Sequence, residues 1–328
     1  MRAAFYERLG PAREVLQLGD VPEPQPTAGE VRVRVQWSGV NPSDVKARLG
    51  LRSGAMPFPR VIPHSDGMGV IDKVGDDVPA TRVGQRVWLR NAAWGRAHGT
   101  ACELVCLPQD QAMPLPDNVS GEAGACLGIP ALTAMHAVLM DGGVAGKTCL
   151  VAGGAGAVGH YAVQLASLLG AARVIASAST PAKAALARDA GADDVVLYRS
   201  ESLADRVAQV TGGKGVDRII ELDLAVNGAA DLDMLRHGGE CVAYGSSATP
   251  VQLPFYPLIA KNLQLKCFIV YQLAPEDRER AVATLTRLLA RGALKHNIAA
   301  RLPLQEIAAA HEMVEGGKAV GNVVLDLT

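Results

Sequence analysis

Residues 151–166 read VAGGAGAVGHYAVQLA and set Gly154, Gly156 and Gly159 at Gly-x-Gly-x-x-Gly spacing. In a chain with 35 glycines the spacing alone is weak. Its neighbours make it specific. KTCLVA (147–152) is a continuous apolar run of strand length, and HYAVQLASLLG (160–170) carries apolar residues at helical spacing. A strand, a glycine turn and a helix in that order form the setting of a dinucleotide-binding loop. Gly154 permits the sharp turn, Gly156 lets the backbone approach a pyrophosphate, and Gly159 lets the helix pack on the strand. With Ala157 and Val158 in its first turn, the helix offers unpaired N–H groups and a positive dipole end to phosphates.

Working outward, short apolar strands are predicted at 147–152, 173–178, 194–198, 216–222, 240–245 and 264–270, with helices between them such as 160–170 and 181–191. Continuous apolar strands separated by helices define an α/β domain with a parallel sheet covered on both faces. Six of them match a doubly wound Rossmann sheet. The first 120 residues differ in character. VRVRVQ (31–36) alternates apolar and charged residues at the strand period, and GVIDKVG and GQRVWL are further short strands between glycine turns. This region is expected to form a partly closed β-barrel, and the mixed tail from residue 271 is expected to rejoin it. The predicted domains are therefore 1–120 with 271–328, and 121–270.

An NAD-binding loop places an acid about 20 residues downstream, on the ribose hydroxyls. Here that position falls in VIASAST (174–180), which has none. Ser177, Ser179 and Thr180 offer small donors and Lys183 follows in the next helix, a set that favours the 2′-phosphate of NADPH. Composition bounds the rest. A net charge of −1 gives no basic surface for nucleic acid, and no apolar run reaches the roughly 18–20 residues of a membrane span. MRAAFYERLG lacks the apolar core of a signal peptide, and the six scattered cysteines include no CxxC pair. A cytoplasmic location with reduced thiols is expected.

AGGAGAVG, GVNPSDVKARLG, HSDGMGVIDKVG with GQRV, RIIELDLAVN with LRHGGECVAYGSS, and the closing GKAVGNVVLDL together resemble the zeta-crystallin-type quinone oxidoreductases. These are zinc-free members of the medium-chain dehydrogenase/reductase superfamily, and the resemblance runs from end to end. It implies a GroES-like catalytic domain, a Rossmann domain, bound NADPH and a homodimer. It places Asn41 near the nicotinamide and Thr133 near its ribose, and it gives Lys183 and Tyr198 to the 2′-phosphate end. Gly245, Ser246 and Ser247 close over the adenine side. Phe268 to Val270 present backbone to the carboxamide, and Lys318 and Asn322 approach the phosphates.

Zinc-dependent relatives carry cysteine at Asn41 and Gly-His-Glu at His64-Ser65-Asp66, so no metal is expected. Without a Lewis acid, acceptors that take a hydride readily are favoured over simple alcohols. One departure touches the substrate. The family's Asn-Pro-x-Asp/Glu-x-Tyr-x-Arg here reads Asn41-Pro42-Ser43-Asp44-Val45-Lys46-Ala47-Arg48, so a cation replaces an aromatic hydroxyl. Asn41, Lys46, Arg48 and Thr133 are the candidate positioning residues of the reaction. Asp44 is read either as orienting Lys46 or Asn41 or as a helix-cap residue, and Asp66 either as a titrating group or as the partner of Arg48. His64, His98 and His136 are weaker candidates as proton donors, and Cys126 as a reactive thiol. The expected activity is hydride transfer from NADPH to a quinone or activated alkene. The alternatives are an enone or enoyl-thioester reductase, and a non-catalytic, crystallin-like NADPH-binding protein.

Overall fold

The valines of the VRVRVQ alternation face inward: Val31, Val33 and Val35 are buried. The intervening arginines turn outward, Arg32 onto Asp72 through two bonds of 2.9 and 3.1 Å and Arg34 onto the same carboxylate at 3.2 Å. These residues belong to the strand Glu30–Val40 in a computed structural model that describes residues 1–51 and 53–328. The chain divides into two units, 1–130 with 286–328, and 131–285. The helix Pro275–Ala290 runs through the second boundary.

In the first unit, Glu30–Val40 organises a mostly antiparallel sheet. One edge pairs with Asp66–Val74, with register shifts after Arg32 and Val35 that bend the ladder. The other edge is shared. Leu104–Pro108 takes its first half, and Asn322–Asp326 takes residues 37–40. Ile298–Pro303 extends this edge, while Arg86–Leu89 and Ala112–Pro114 extend the far side. One strand therefore brings the end of the chain beside residue 40, just before Asn41. The inward valines join Ile62, Ile71, Val87, Leu89 and Val105 in the core of this unit.

The second unit carries six parallel strands in the order Asp194–Leu197, Arg173–Ala178, Thr148–Val151, Val216–Glu221, Leu235–Ala243, Gln264–Cys267. This is the doubly wound arrangement, and its order reverses between Thr148–Val151 and Val216–Glu221, where ligands bind outside the carboxyl ends. Two strands differ from expectation. The predicted strand 240–245 begins earlier, at Leu235, because Leu235 already pairs with Val216 before a shift in register. The predicted strand 264–270 stops at Cys267, since the chain turns into a short 3₁₀ segment at Val270–Gln272.

Candidate active site

The glycine turn leads into the helix Ala157–Leu168, capped by Gly156 without a side-chain bond. Its first amides have no helical carbonyl four residues back. The three glycines answer different needs. A Cβ on Gly159 would lie 2.2 Å from the Gly153 carbonyl oxygen, and one on Gly154 would lie 2.7 Å from the Ala176 Cβ, so packing of helix on sheet requires both. At Gly156 only the Gly153 carbonyl comes close, at 3.2 Å. Of the three, the protein's own packing demands least there.

The loop is braced by the next strand. The Gly153 N–H donates to Ser177 Oγ (3.0 Å) and the Gly154 N–H to the Ser177 carbonyl (3.0 Å). Buried Ser177 thus holds the loop in shape, a role beyond the cofactor contact expected of it. Thr180 caps the helix Pro181–Asp189 by accepting the Lys183 N–H. Lys183 and Ser179 are half-buried and Tyr198 is exposed. Gly245 is close-packed, its missing Cβ 2.2 Å from the Leu222 carbonyl oxygen, and Ser247 donates through N–H and Oγ to Asp223.

Thr133 is buried in the first turn of Leu132–Leu139, which follows a π-helical turn at Leu127–Ala131. Single π-turns often mark functional positions. One turn on, His136 meets the Phe268 ring edge-on at 4.6 Å, and burial lowers its pKa. The carboxyl end of this helix is clamped by Arg218, whose guanidinium is fully buried. Arg218 donates to the carbonyls of Ala137, Val138 and Met140 at 2.6–3.0 Å and to Glu240 through two nitrogens. Lys147 reaches the same carboxylate at 2.8 Å.

In the first unit, Asn41 is the N-cap of the helix Pro42–Arg48 and is buried. Its backbone N–H donates to Asp44 (2.8 Å), so Asp44 is held as a cap. Its side-chain amide donates to Asp66 Oδ2 (2.9 Å), which also accepts the Ile129 N–H (3.0 Å). Asp66 is fully buried, and burial followed by repulsion from Asp44 raises its pKa well above its ordinary value. Gly128 makes room for it: a Cβ there would lie 2.3 Å from Asp66 Oδ1. The acid thereby fixes which way the Asn41 amide points.

Arg48 is not the partner of Asp66, a correction to one of the two expectations. It is fully buried and donates to the Gly10 carbonyl and to Glu315 (2.7 Å), tying the helix Ile307–Glu315 to the helix Pro42–Arg48 and the loop at Gly10. That geometry makes it an anchor. Lys46 is half-buried on the same short helix. Asn322 is buried and donates to the Asn297 carbonyl (3.1 Å), whereas Lys318 is exposed.

Sequence reasoning also missed a buried polar chain. Ser38 Oγ bonds both Thr100 Oγ1 (2.7 Å) and His64 Nδ1 (2.8 Å), and His64 Nε2 lies 2.9 Å from His311 Nε2. Burial lowers the pKa of His64 to about 3, so it does not carry a proton near neutrality. His64 adopts φ 77°, and its partner His311 lies 247 residues away, so no local signal reveals the pair. Cys126 is a buried thiol donating to the Glu122 carbonyl, its pKa pushed up by burial and then by Asp66. It is packed, not reactive.

The chain matches two families: the alcohol dehydrogenase GroES-like domain over residues 27–117, and the zinc-binding dehydrogenases over 157–287. With the doubly wound sheet and its glycine loop, these matches define a member of the medium-chain dehydrogenase/reductase superfamily. Human quinone oxidoreductase is 32% identical over 329 residues, covering 99% of this chain and 97% of that one. The quinone oxidoreductase of Pseudomonas aeruginosa is 30% identical over 331 residues, covering 99% and 98%. This chain belongs to the quinone oxidoreductase family. Among solved structures, Escherichia coli quinone oxidoreductase complexed with NADPH superposes with a TM-score of 0.87 at 28% identity, covering 99% of this chain and 100% of that one. An NAD-dependent alcohol dehydrogenase superposes with a TM-score of 0.92 at 30% identity, with complete coverage of both chains.

The zinc in one family's name finds no donor set here. Asn41 stands where a thiolate would be, Ser65 where an imidazole would be, and both ring nitrogens of His64 are engaged. No group of three or more His, Cys, Asp or Glu side chains suited to a metal occurs among the described residues. These residues do not fit a zinc ion.

Proposed function

We propose that the chain is an NADPH-dependent oxidoreductase that delivers a hydride to a quinone or another activated, conjugated acceptor. The observation that carries this reading is the bare helix end at Gly156, together with a neighbouring strand, Arg173–Ala178, that ends without an acid and leads to Lys183. The amides of Ala157 and Val158 meet the pyrophosphate there. Lys183 and Ser179 receive the 2′-phosphate, with Tyr198 beside them. Gly245, Ser246 and Ser247 line the adenine end. Thr133 and the backbone of Phe268 to Val270 serve the nicotinamide end. In the first unit, Asp66 holds the Asn41 amide in a fixed orientation. NADPH, when bound, supplies the hydride.

The chain's own contribution is to orient acceptor and dinucleotide and to keep water out. Among the described residues Asp66 holds the Asn41 amide and His64 is neutral, which supports neither as the general acid. Product protonation is therefore left to water. Lys46, in place of the family's aromatic residue, favours a second reading in which the acceptor is an enone or enoyl thioester bearing an anionic group. Steady-state oxidation of NADPH and NADH with a panel of quinones, enones and enoyl thioesters decides between them. Turnover with quinones supports the first reading, and faster turnover of anionic enoyl substrates supports the second. Tight NADPH binding without turnover of any acceptor would leave a binding protein and overturn both. We further propose that two copies pair through Gln264–Cys267, the edge of the parallel sheet, whose Leu265 side is exposed.

A further inference from the structure

The carboxyl end of the strand Val216–Glu221 holds two acids that the site above does not use. Glu221 is fully buried, and Asp231, in the helix Leu224–Met234, is 2% exposed. Glu221 Oε1 accepts the Asn227 amide (2.9 Å) and the Asp223 N–H. Glu221 Oε2 and Asp231 Oδ2 are buried, and neither meets a donor elsewhere among the described residues. The contact left to them is each other, and two carboxylates bond only with a proton between them.

The acids sit under a stitched pair of loops. The Tyr244 N–H donates to the Glu221 carbonyl (3.1 Å) and the Leu224 N–H to the Gly245 carbonyl (3.0 Å). Asp223, whose N–H is fixed by Glu221, accepts both donors of Ser247 at 2.8 and 3.0 Å. Glu221 therefore reaches through one residue to the segment 245–247.

We propose that Glu221 and Asp231 share one proton and act as positioning residues for the dinucleotide, holding the loops 222–224 and 244–247 in their binding geometry. This rests on the assignment of Gly245, Ser246 and Ser247 to NADPH. Losing the proton sets two anions against each other in a site of low dielectric, which drives the loops apart. Burial, reinforced by Glu221, pushes the Asp231 pKa up to about 8. The other titratable groups facing the pair are silent in that range. Burial, assisted by these acids, holds the Cys241 thiol and the Tyr244 hydroxyl protonated well beyond it, and Cys267, beyond Cys241, is also raised. Asp223 is engaged by Ser247.

The test is the pH dependence of NADPH affinity, by calorimetric titration of the full chain. Between about pH 7 and about pH 9.5 the 2′-phosphate is already fully charged and lysines remain charged. Wild-type affinity falls by at least about threefold across that range. Glu221→Gln supplies a permanent N–H in place of the proton and makes the profile flat, and Asp231→Asn does the same from the other side. Equal pH slopes in wild type and both variants would overturn the proposal while leaving NADPH binding intact. Absence of NADPH binding at every pH would overturn the cofactor assignment instead. The unfolding midpoint of the unliganded chain then judges the pair. A carboxyl raised in the folded state loses stability as pH climbs toward its folded value, so the wild-type midpoint drops between about pH 5 and about pH 8 more than that of Glu221→Gln. Parallel curves reject the shared proton.

Discussion

Asp66 and Lys183 show how one residue's setting decides its job. An acid sealed under Gly128 and beside Asp44 has its pKa raised, which favours the neutral carboxyl that an amide can replace at little cost. Asp66→Asn should retain the fold, whereas Asp66→Ala, which strands the Asn41 amide and the Ile129 N–H, should cost about 2–4 kcal/mol. The sign with pH follows from the raised folded value. Wild type loses stability as pH rises above the ordinary carboxylate range, and Asp66→Asn does not, so the variant gains Tm relative to wild type as pH rises. A gap that narrows with rising pH would mean that Asp66 is ionised. For Lys183 the charge-assisted bond to a phosphate sets the scale. Lys183→Ala should weaken NADPH by about 1.5–3 kcal/mol and leave NADH nearly unchanged in parallel titrations. At this scale the sequence was legible where local context carries meaning, as in the strand and helix that flank the glycine turn. It was opaque where a partner is distant: Asp66 chose Asn41 over Arg48, and Arg48 found Glu315, 267 residues away.

Among elements, the helix Leu132–Leu139 gains its place from Arg218, not from its own propensity. Its end is closed by three carbonyl bonds to a side chain rooted on the sheet. Arg218→Met should cost about 3–5 kcal/mol in urea unfolding, because Glu240 loses its main partner and the carbonyls lose their donor. Adding Glu240→Met should recover part of that loss, and full additivity of the two changes would argue against a coupled pair. The six strands of the parallel sheet were readable because each is a continuous apolar run. Their ends were less so, since Leu235 enters its strand through pairing with Val216 and the last strand is cut short by the 3₁₀ turn at Val270. A buried arginine inside an apolar strand, VDRIIE, was visible in the sequence, but the helix end it holds was not.

For the molecule as a whole, the long-range pairing of Asn322–Asp326 with residues 37–40 matters most. The strand that delivers Asn41 is completed by residues made nearly 300 positions later. Removing residues 322–328 should therefore expose the edge of Glu30–Val40, lower the Tm by several degrees and impair catalysis more than NADPH binding. Unchanged turnover in that truncation would detach the terminal strand from the site. Light scattering checks the second copy: a dimer is expected, and substitution of Leu265 by lysine should shift it toward monomer. The partition into a β-rich unit and a parallel-sheet unit followed from the change of period along the chain. The return of the tail to the first unit was expected on the same ground, and the position of the crossing within Pro275–Ala290 was hidden because a helix does not break its pattern there.

The distribution of the cysteines has a practical corollary. Of the six, Cys267 alone is exposed among the described residues, and it ends the edge strand. The others are buried or half-covered, with Cys102, Cys106 and Cys149 pushed up to about 12. A maleimide dye added to the native chain should accordingly attach at one position, giving a built-in reporter on the sheet edge. Protection of that thiol in concentrated solution, and its release on dilution, would read out self-association without any engineered label.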